Sequence, residues 1–143
     1  MVQRDIIKDQ IEHLGRVMAK VMGKFFGLKD SGNVQEGMKV SKEELIAELD
    51  FNVEAVVKLS DEDLRHYLME KLYSAANIEI FGDYFFEIAQ CNLELRPEMA
   101  LPYFEKSLDF YQIAGRCTDV YSMERATKVA RIKTMLAACF GEG

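Results

Sequence analysis

Between residues 6 and 28 the apolar positions Ile7, Ile11, Leu14, Met18, Val21, Phe25 and Leu28 follow one another in alternating steps of four and three. Steps of that size return to one side of a helix at every turn, whereas a strand needs an apolar residue at every second position. No other feature restricts the chain as much: the segment is a long amphipathic helix, and its seam must find a cover. Ile6, Val17, Met22 and Phe26 widen the stripe, so the helix is expected to pack into more than one neighbour rather than form a two-stranded zipper. Gly15, Ala19, Gly23 and Gly27 fall four apart beside it, a row of small residues that would admit another backbone at close range. Each helical glycine costs roughly 1 kcal/mol against alanine, so packing is the expected reason for the row, with a simple weakening of the helix end near Gly27 as the alternative.

The same helix separates charge. Residues 1–30 carry six basic and four acidic side chains, and the remainder carries 12 and 20. From Arg16 to Lys29 there are four cations and no acid, and Arg16, Lys20 and Lys24 lie four apart on the side away from the seam. Three covers are open to the seam: the acidic body of the chain itself, a second copy in a symmetric dimer, or an anionic membrane surface with the cations at the headgroups. Packing on the body is favoured, because that surface is available within the chain. The candidate interaction face therefore comprises Ile7, Ile11, Leu14, Met18, Val21 and Phe25, flanked by Arg16, Lys20 and Lys24.

Residues 29–40, with Ser31, Gly32, Asn33 and Gly37 and no apolar period, read as a loop. "SKEE" at 41–44 and "SDED" at 60–63 each place a serine three residues ahead of an acid, the capping-box arrangement, so two helices are expected to start there. The first is short, about 42–49, and is followed by a further turn or two in "FNVEAVVKL". The second presents Leu64, Leu68, Leu72 and Ala75 on one face. A helix from Asn77 to Arg96 places Phe81, Phe85, Ile88, Cys91 or Asn92, and Leu95 at helical spacing, with Asn77 as cap and Gly82 as a soft spot. Pro97 suits the first turn of the next helix, which should end near Ala114 with Gly115 just beyond; Pro102 either kinks it or marks its true start. A last helix from about Asp119 to Phe140 should bury Tyr121, Met123 or Glu124, Ala126, Val129, Ile132, Leu136 and Phe140.

A chain of 143 residues that is 49% hydrophobic can fill one core, and one all-α domain is expected over its whole length. Methionine and phenylalanine in place of β-branched runs favour helices. A net charge of −6 disfavours nucleic acid as a partner, since phosphate contacts need clustered cations. Cys91, Cys117 and Cys139 are too few and too far apart for a disulfide framework or a zinc knuckle, and fit a reducing compartment. "MVQRDIIKDQ" has charges where a signal peptide has its apolar core, and no stretch reaches the roughly 18 apolar residues that span a bilayer, so a cytoplasmic location is expected.

The stretch "MALPYFEKSLDFYQIAGRCTDVYSMERATKVARIKTML" resembles a tetratricopeptide-type repeat. Ala100, Phe104 and Ser107 match the family's small, aromatic, small spacing, and "EKSLDFY" is close to its habitual wording. The resemblance implies antiparallel hairpins over residues 77–140, with a third helix stacked on the first two and the N-terminal helices completing the core. The chain departs from the pattern at Pro102 and in lacking the usual closing proline. Its opening, "QRDIIKDQIEHLGRVMAK", is similar to the start of a small group of uncharacterised bacterial proteins, a likeness that names no function.

No catalytic constellation stands out. His13 and His66 lie on different helices without a partner motif, and no E-x-x-H of a di-metal bundle occurs. Cys91 and Cys117 sit on or beside apolar faces, where a cysteine is a small hydrophobe; Cys139 is expected to be more exposed. Asp83, Glu87 and Glu94 read as a solvated helix face before an acidic groove. No metal and no cofactor is expected. The leading expectation is a non-catalytic module that binds another protein or peptide, or its own copy through the first helix. The alternative is a peripheral membrane or stress-related factor acting through residues 1–28, and a small enzyme comes third.

Overall fold

The computed structural model describes the backbone of residues 2–71 and 73–141, and the side chains of residues 8–71 and 73–141. Among these the chain is all-α. Seven helices follow in order: α1 (Val2–Asp30), α2 (Val34–Leu49), α3 (Val53–Val56), α4 (Asp61–Glu70), α5 (Ala75–Leu95), α6 (Pro97–Arg116) and α7 (Met123–Phe140). They group into two compact units, Met1–Tyr73 and Ser74–Gly143.

In the first unit α1 and α2 pack as a helical hairpin. The sequence places a loop over residues 29–40, yet only residues 31–33 leave the helices, with Gly32 at φ 86° turning the chain. The polar residues of the expected loop, Gln35, Glu36 and Lys39, are the solvent face of α2. Gly37 is buried where α2 crosses α1, and a Cβ there would stand 3.3 Å from both Phe25 O and Leu28 Cβ. The close approach expected at the Gly15, Ala19, Gly23 and Gly27 row is absent at Gly23 and Gly27, where a Cβ would meet nothing within 4 Å. A short turn fixes which side of α1 meets α2, and that side is the seam.

Ser41 does not cap a helix either. It lies inside α2, where its hydroxyl donates to the Met38 carbonyl at 2.8 Å, the back-bonding that competes with its capping role. Asp50, at φ 53°, ends α2, and the next amide, Phe51 N–H, donates to Leu45 O at 3.1 Å. Asn52 caps α3 by accepting from Ala55 N–H, and Ser60 caps α4 by accepting from Asp63 N–H at 3.1 Å, the start that "SDED" implies. Phe51 packs edge-on against Tyr67, ring centroids 6.0 Å apart, and Leu64 and Leu68 are fully buried. Leu72, expected on the same face, lies outside the described residues.

In the second unit α5 packs along α6, and α6 carries α7. The cap of α5 is Ser74 rather than Asn77: its hydroxyl accepts from Asn77 N–H at 3.2 Å, and Asn77 is buried one turn in. The core is aromatic. Phe85 stacks on Phe110 at 5.0 Å and on Tyr103 at 6.0 Å, Phe81 stacks on Phe110 at 5.8 Å, and Phe86 meets Phe104 edge-on. Leu95 escapes this core and is exposed. Ala100, Phe104 and Ser107 are buried, and the Ser107 hydroxyl donates to Gly82 O at 2.7 Å.

Pro97 occupies the first position of α6, and Pro102 lies inside the helix with its ring toward solvent. It removes one early backbone bond on the outer side without ending the helix. Gly115 falls inside α6, which runs to Arg116.

Candidate functional site: the cleft between α6 and α7

The α6–α7 connection and the start of α7 decide this region. The sequence begins the last helix near Asp119, but its cap is Ser122, whose hydroxyl accepts from Arg125 N–H at 3.0 Å. Tyr121 therefore precedes the helix and Met123 opens it on its outer side. Spacing places Tyr121, and Met123 or Glu124, on the buried side, yet Tyr121 and Met123 are 74% and 75% exposed, beside Val120 at 71%. Of the other positions expected to be buried, Ile132 is, while Ala126, Val129, Leu136 and Phe140 are half-buried.

Tyr121, of these three, also lines a cleft of about 340 Å³. Tyr111, Gln112 and Gly115 of α6 form one wall, and Ala126, Val129 and Ala130 of α7 the other. Tyr121 and Ser122 complete the lining, which contains two cations, Arg125 and Lys133, and no acid.

Tyr111 is held from three sides. Its ring rests on the bare backbone of Gly82, where a Cβ would lie 2.6 Å from Tyr111 Cε1. Its hydroxyl donates to Asp83 Oδ1, and the Lys128 ammonium sits 5.7 Å from its ring centroid. Lys128 Nζ in turn reaches Asp83 Oδ1 at 3.0 Å, Glu124 Oε1 at 3.3 Å and Glu79 Oε1 at 3.5 Å. Burial and then the Asp83 hydrogen bond raise the pKa of Tyr111 far above the usual phenol range. Burial alone would lower that of Lys128, but the hydrogen bond and charge of Asp83, with Glu79 and Glu124, outweigh it and leave it raised. At neutral pH the tyrosine is neutral and the lysine charged, so Lys128 holds the Asp83, Glu79 and Glu124 carboxylates together beside the Tyr111 ring.

Arg125 anchors the exposed turn. Its guanidinium donates to Val120 O at 3.2 Å and lies 3.9 Å from Glu79 Oε2. The Thr118 hydroxyl accepts from Val120 N–H at 3.1 Å. The apolar edge is thus presented on a tied backbone.

The candidate face on α1 is arranged differently. Leu14, Met18, Val21 and Phe25 are buried and Ile11 is half-buried, while the side chain of Ile7 lies outside the described residues. Arg16, Lys20 and Lys24 face solvent, with Lys24 Nζ 2.8 Å from Glu44 Oε1. Most of that seam is therefore core, and its cations form the surface of the helix. His13 and His66 are exposed, and so is Cys117, expected on an apolar face but placed at the end of α6. Cys91 is buried and Cys139 exposed. Asp83 joins the clamp on Tyr111, whereas Glu94 faces solvent. Among the described residues no group of three or more His, Cys, Asp or Glu side chains is placed to hold a metal ion, and no helix is long and apolar enough to cross a membrane.

Sequence reasoning missed the cleft because its walls come from residues 111–115 and 121–133, whose relative placement depends on the α6–α7 turn. A usable signal was present: Ser122 with Glu124 and Arg125 following is a helix start, and it leaves Val120 and Tyr121 outside. Compared with known proteins, the chain matches no family model, no curated protein and no solved structure.

Proposed function

We propose that this chain is a non-catalytic interaction module that recognises another polypeptide through the α6–α7 cleft. The observation that carries the reading is the exposed apolar edge of Val120, Tyr121 and Met123 beside a preformed cleft. Side chains of this size at more than two-thirds exposure, grouped along one edge and tied to a fixed backbone, are the usual mark of a docking surface. Preorganisation supports it further, since Tyr111 and the turn are locked before any partner arrives and little ordering remains to be offset. The buried Ala100, Phe104 and Ser107 support a tetratricopeptide-like packing of α5 and α6, an architecture that serves as an interaction scaffold. A cytoplasmic setting accords with the three free cysteines.

The test is to pan immobilised full chain against a displayed library of random short peptides, with the Tyr121→Ser variant in parallel. Enrichment on the parent that is lost on the variant is the expected result. No enrichment above a bare surface, or equal enrichment on both, overturns the reading.

A further inference from the structure

The chemistry of the lining narrows the partner. We infer that the cleft takes an acidic segment carrying one large apolar, preferably aromatic, side chain, with that side chain seated between Tyr111 and the Ala126–Val129–Ala130 face and its flanking carboxylates at Lys133. This rests on the proposed interaction function and names the partner class for that site.

Size is the first ground. A cleft of about 340 Å³ between two tyrosines and three small or branched aliphatic residues suits a single bulky anchor better than a broad face. The alanines at 126 and 130 leave the space that an aromatic ring from outside would fill, the exposed Tyr121 ring is open to it, and the buried Tyr111 contributes only to the lining.

Charge is the second. The lining holds Arg125 and Lys133 and no carboxylate. Arg125 is engaged with Val120 O and Glu79, but Lys133 is exposed, and among the described residues no carboxylate pairs with it. The three nearby acids, Glu79, Asp83 and Glu124, are gathered on Lys128. On α7 as a whole Arg125, Lys128, Arg131 and Lys133 face one acid, Glu124, on a chain that is otherwise strongly acidic. Like charge therefore opposes a symmetric pairing of α7 with α7 of a second copy, and an acidic partner meets its complement at the one basic element of this unit.

Two synthetic probes test it: a fluorescein-labelled short peptide with a central Phe flanked by Glu, and its counterpart with Lys at every Glu position. Binding to the full chain is read by fluorescence anisotropy at low and moderate salt. The acidic probe is expected to bind about tenfold tighter than the basic one at low salt, with the gap shrinking as salt rises. Lys133→Glu should cut the gap to about threefold or less, and Tyr121→Ser should weaken the acidic probe while leaving the circular dichroism spectrum unchanged. Equal binding of the two probes, tighter binding of the basic one, or indifference to Lys133→Glu overturns the inference. If panning enriches neutral or basic peptides that depend on Tyr121, the interaction reading stands and the acidic partner does not. A solution mass of two chains that Tyr121→Ser reduces to one also overturns it, because the occupant is then a second copy.

Discussion

Replacing Gly82 with alanine should destabilise this protein, although the same change at Gly23 should stabilise it. Both glycines lie inside long helices, α5 and α1, where alanine is worth roughly 1 kcal/mol over glycine by lowering the entropy of the unfolded chain and favouring helix. At Gly23 nothing lies within 4 Å of the new methyl, so that gain, about 0.5–1 kcal/mol, should appear in full. At Gly82 the methyl would stand 2.6, 2.8 and 3.0 Å from Cε1, Cδ1 and Cζ of Tyr111. The ring is 2% exposed, its hydroxyl is bound to Asp83 and its face lies against Lys128, so it cannot swing aside without breaking those contacts. Overpacking of that kind costs about 1–3 kcal/mol, which at its midpoint outweighs the helical gain of roughly 1 kcal/mol and leaves a net loss of about 1 kcal/mol. The two substitutions should therefore differ by roughly 2 kcal/mol in opposite senses. Urea titration followed by far-ultraviolet circular dichroism measures both, and the absence of tryptophan rules out the common fluorescence alternative. In a Tyr111→Ala background Gly82→Ala should turn neutral or favourable, which isolates the contact by a double-mutant cycle. If Gly82→Ala stabilises the parent as much as Gly23→Ala does, the packing of Tyr111 on Gly82 is refuted, and with it the account of how the cleft wall is fixed.

Three further outcomes are expected. Tyr111 and Lys128 both hold their protons more tightly in the folded chain than in the unfolded one, so their contribution is complete below about pH 10 and is lost as pH rises through their folded values. Stability should fall as pH rises above about 10, and Tyr111→Phe, about 1 kcal/mol less stable at neutral pH, should show a shallower fall in the same titration. Removing a cap by Ser60→Ala, Ser74→Ala or Ser122→Ala should each cost about 1 kcal/mol, whereas Ser41→Ala, inside α2, should change stability by less than about 0.5 kcal/mol; thermal melts of the four variants separate the two roles. Phe85→Ala, which empties the centre of the α5–α6 ring stack, should cost about 3–5 kcal/mol by urea titration and expose the second unit to proteolysis.

The all-helical class and the buried faces of α1 and α5 are legible from residue spacing alone, because a period of 3.6 is a local property that each helix carries with it. Leu14, Met18, Val21 and Phe25, like Phe81, Phe85 and Ile88, are buried as their spacing implies. Glycine and serine were less legible, since each has a local meaning that a neighbour can overrule. Gly37 and Gly82 read as a loop residue and a soft spot, yet both are contact points: a Cβ at Gly37 would press on Phe25 and Leu28 at 3.3 Å, and one at Gly82 would collide with Tyr111. Ser41 and Ser60 head the same pattern, and only Ser60 caps, because α2 already extends through Ser41 from Val34.

The candidate site lay beyond the reach of periodicity altogether. Spacing places Tyr121, and either Met123 or Glu124, on the buried side of a helix that starts at Asp119, and the fold moves that start to Ser122 and leaves Tyr121 and Met123 exposed. Sequence by itself determined that the chain is helical, which stripe of α1 and of α5 meets a neighbour, and where charge of each sign accumulates, since all three follow from residue order along a single helix. Tertiary structure alone decided that Lys128 gathers Asp83, Glu79 and Glu124, that Tyr111 stands on Gly82, and that an apolar cleft opens beside Tyr121. Those contacts join residues tens of positions apart, and their geometry depends on how the turns between helices set one helix against the next.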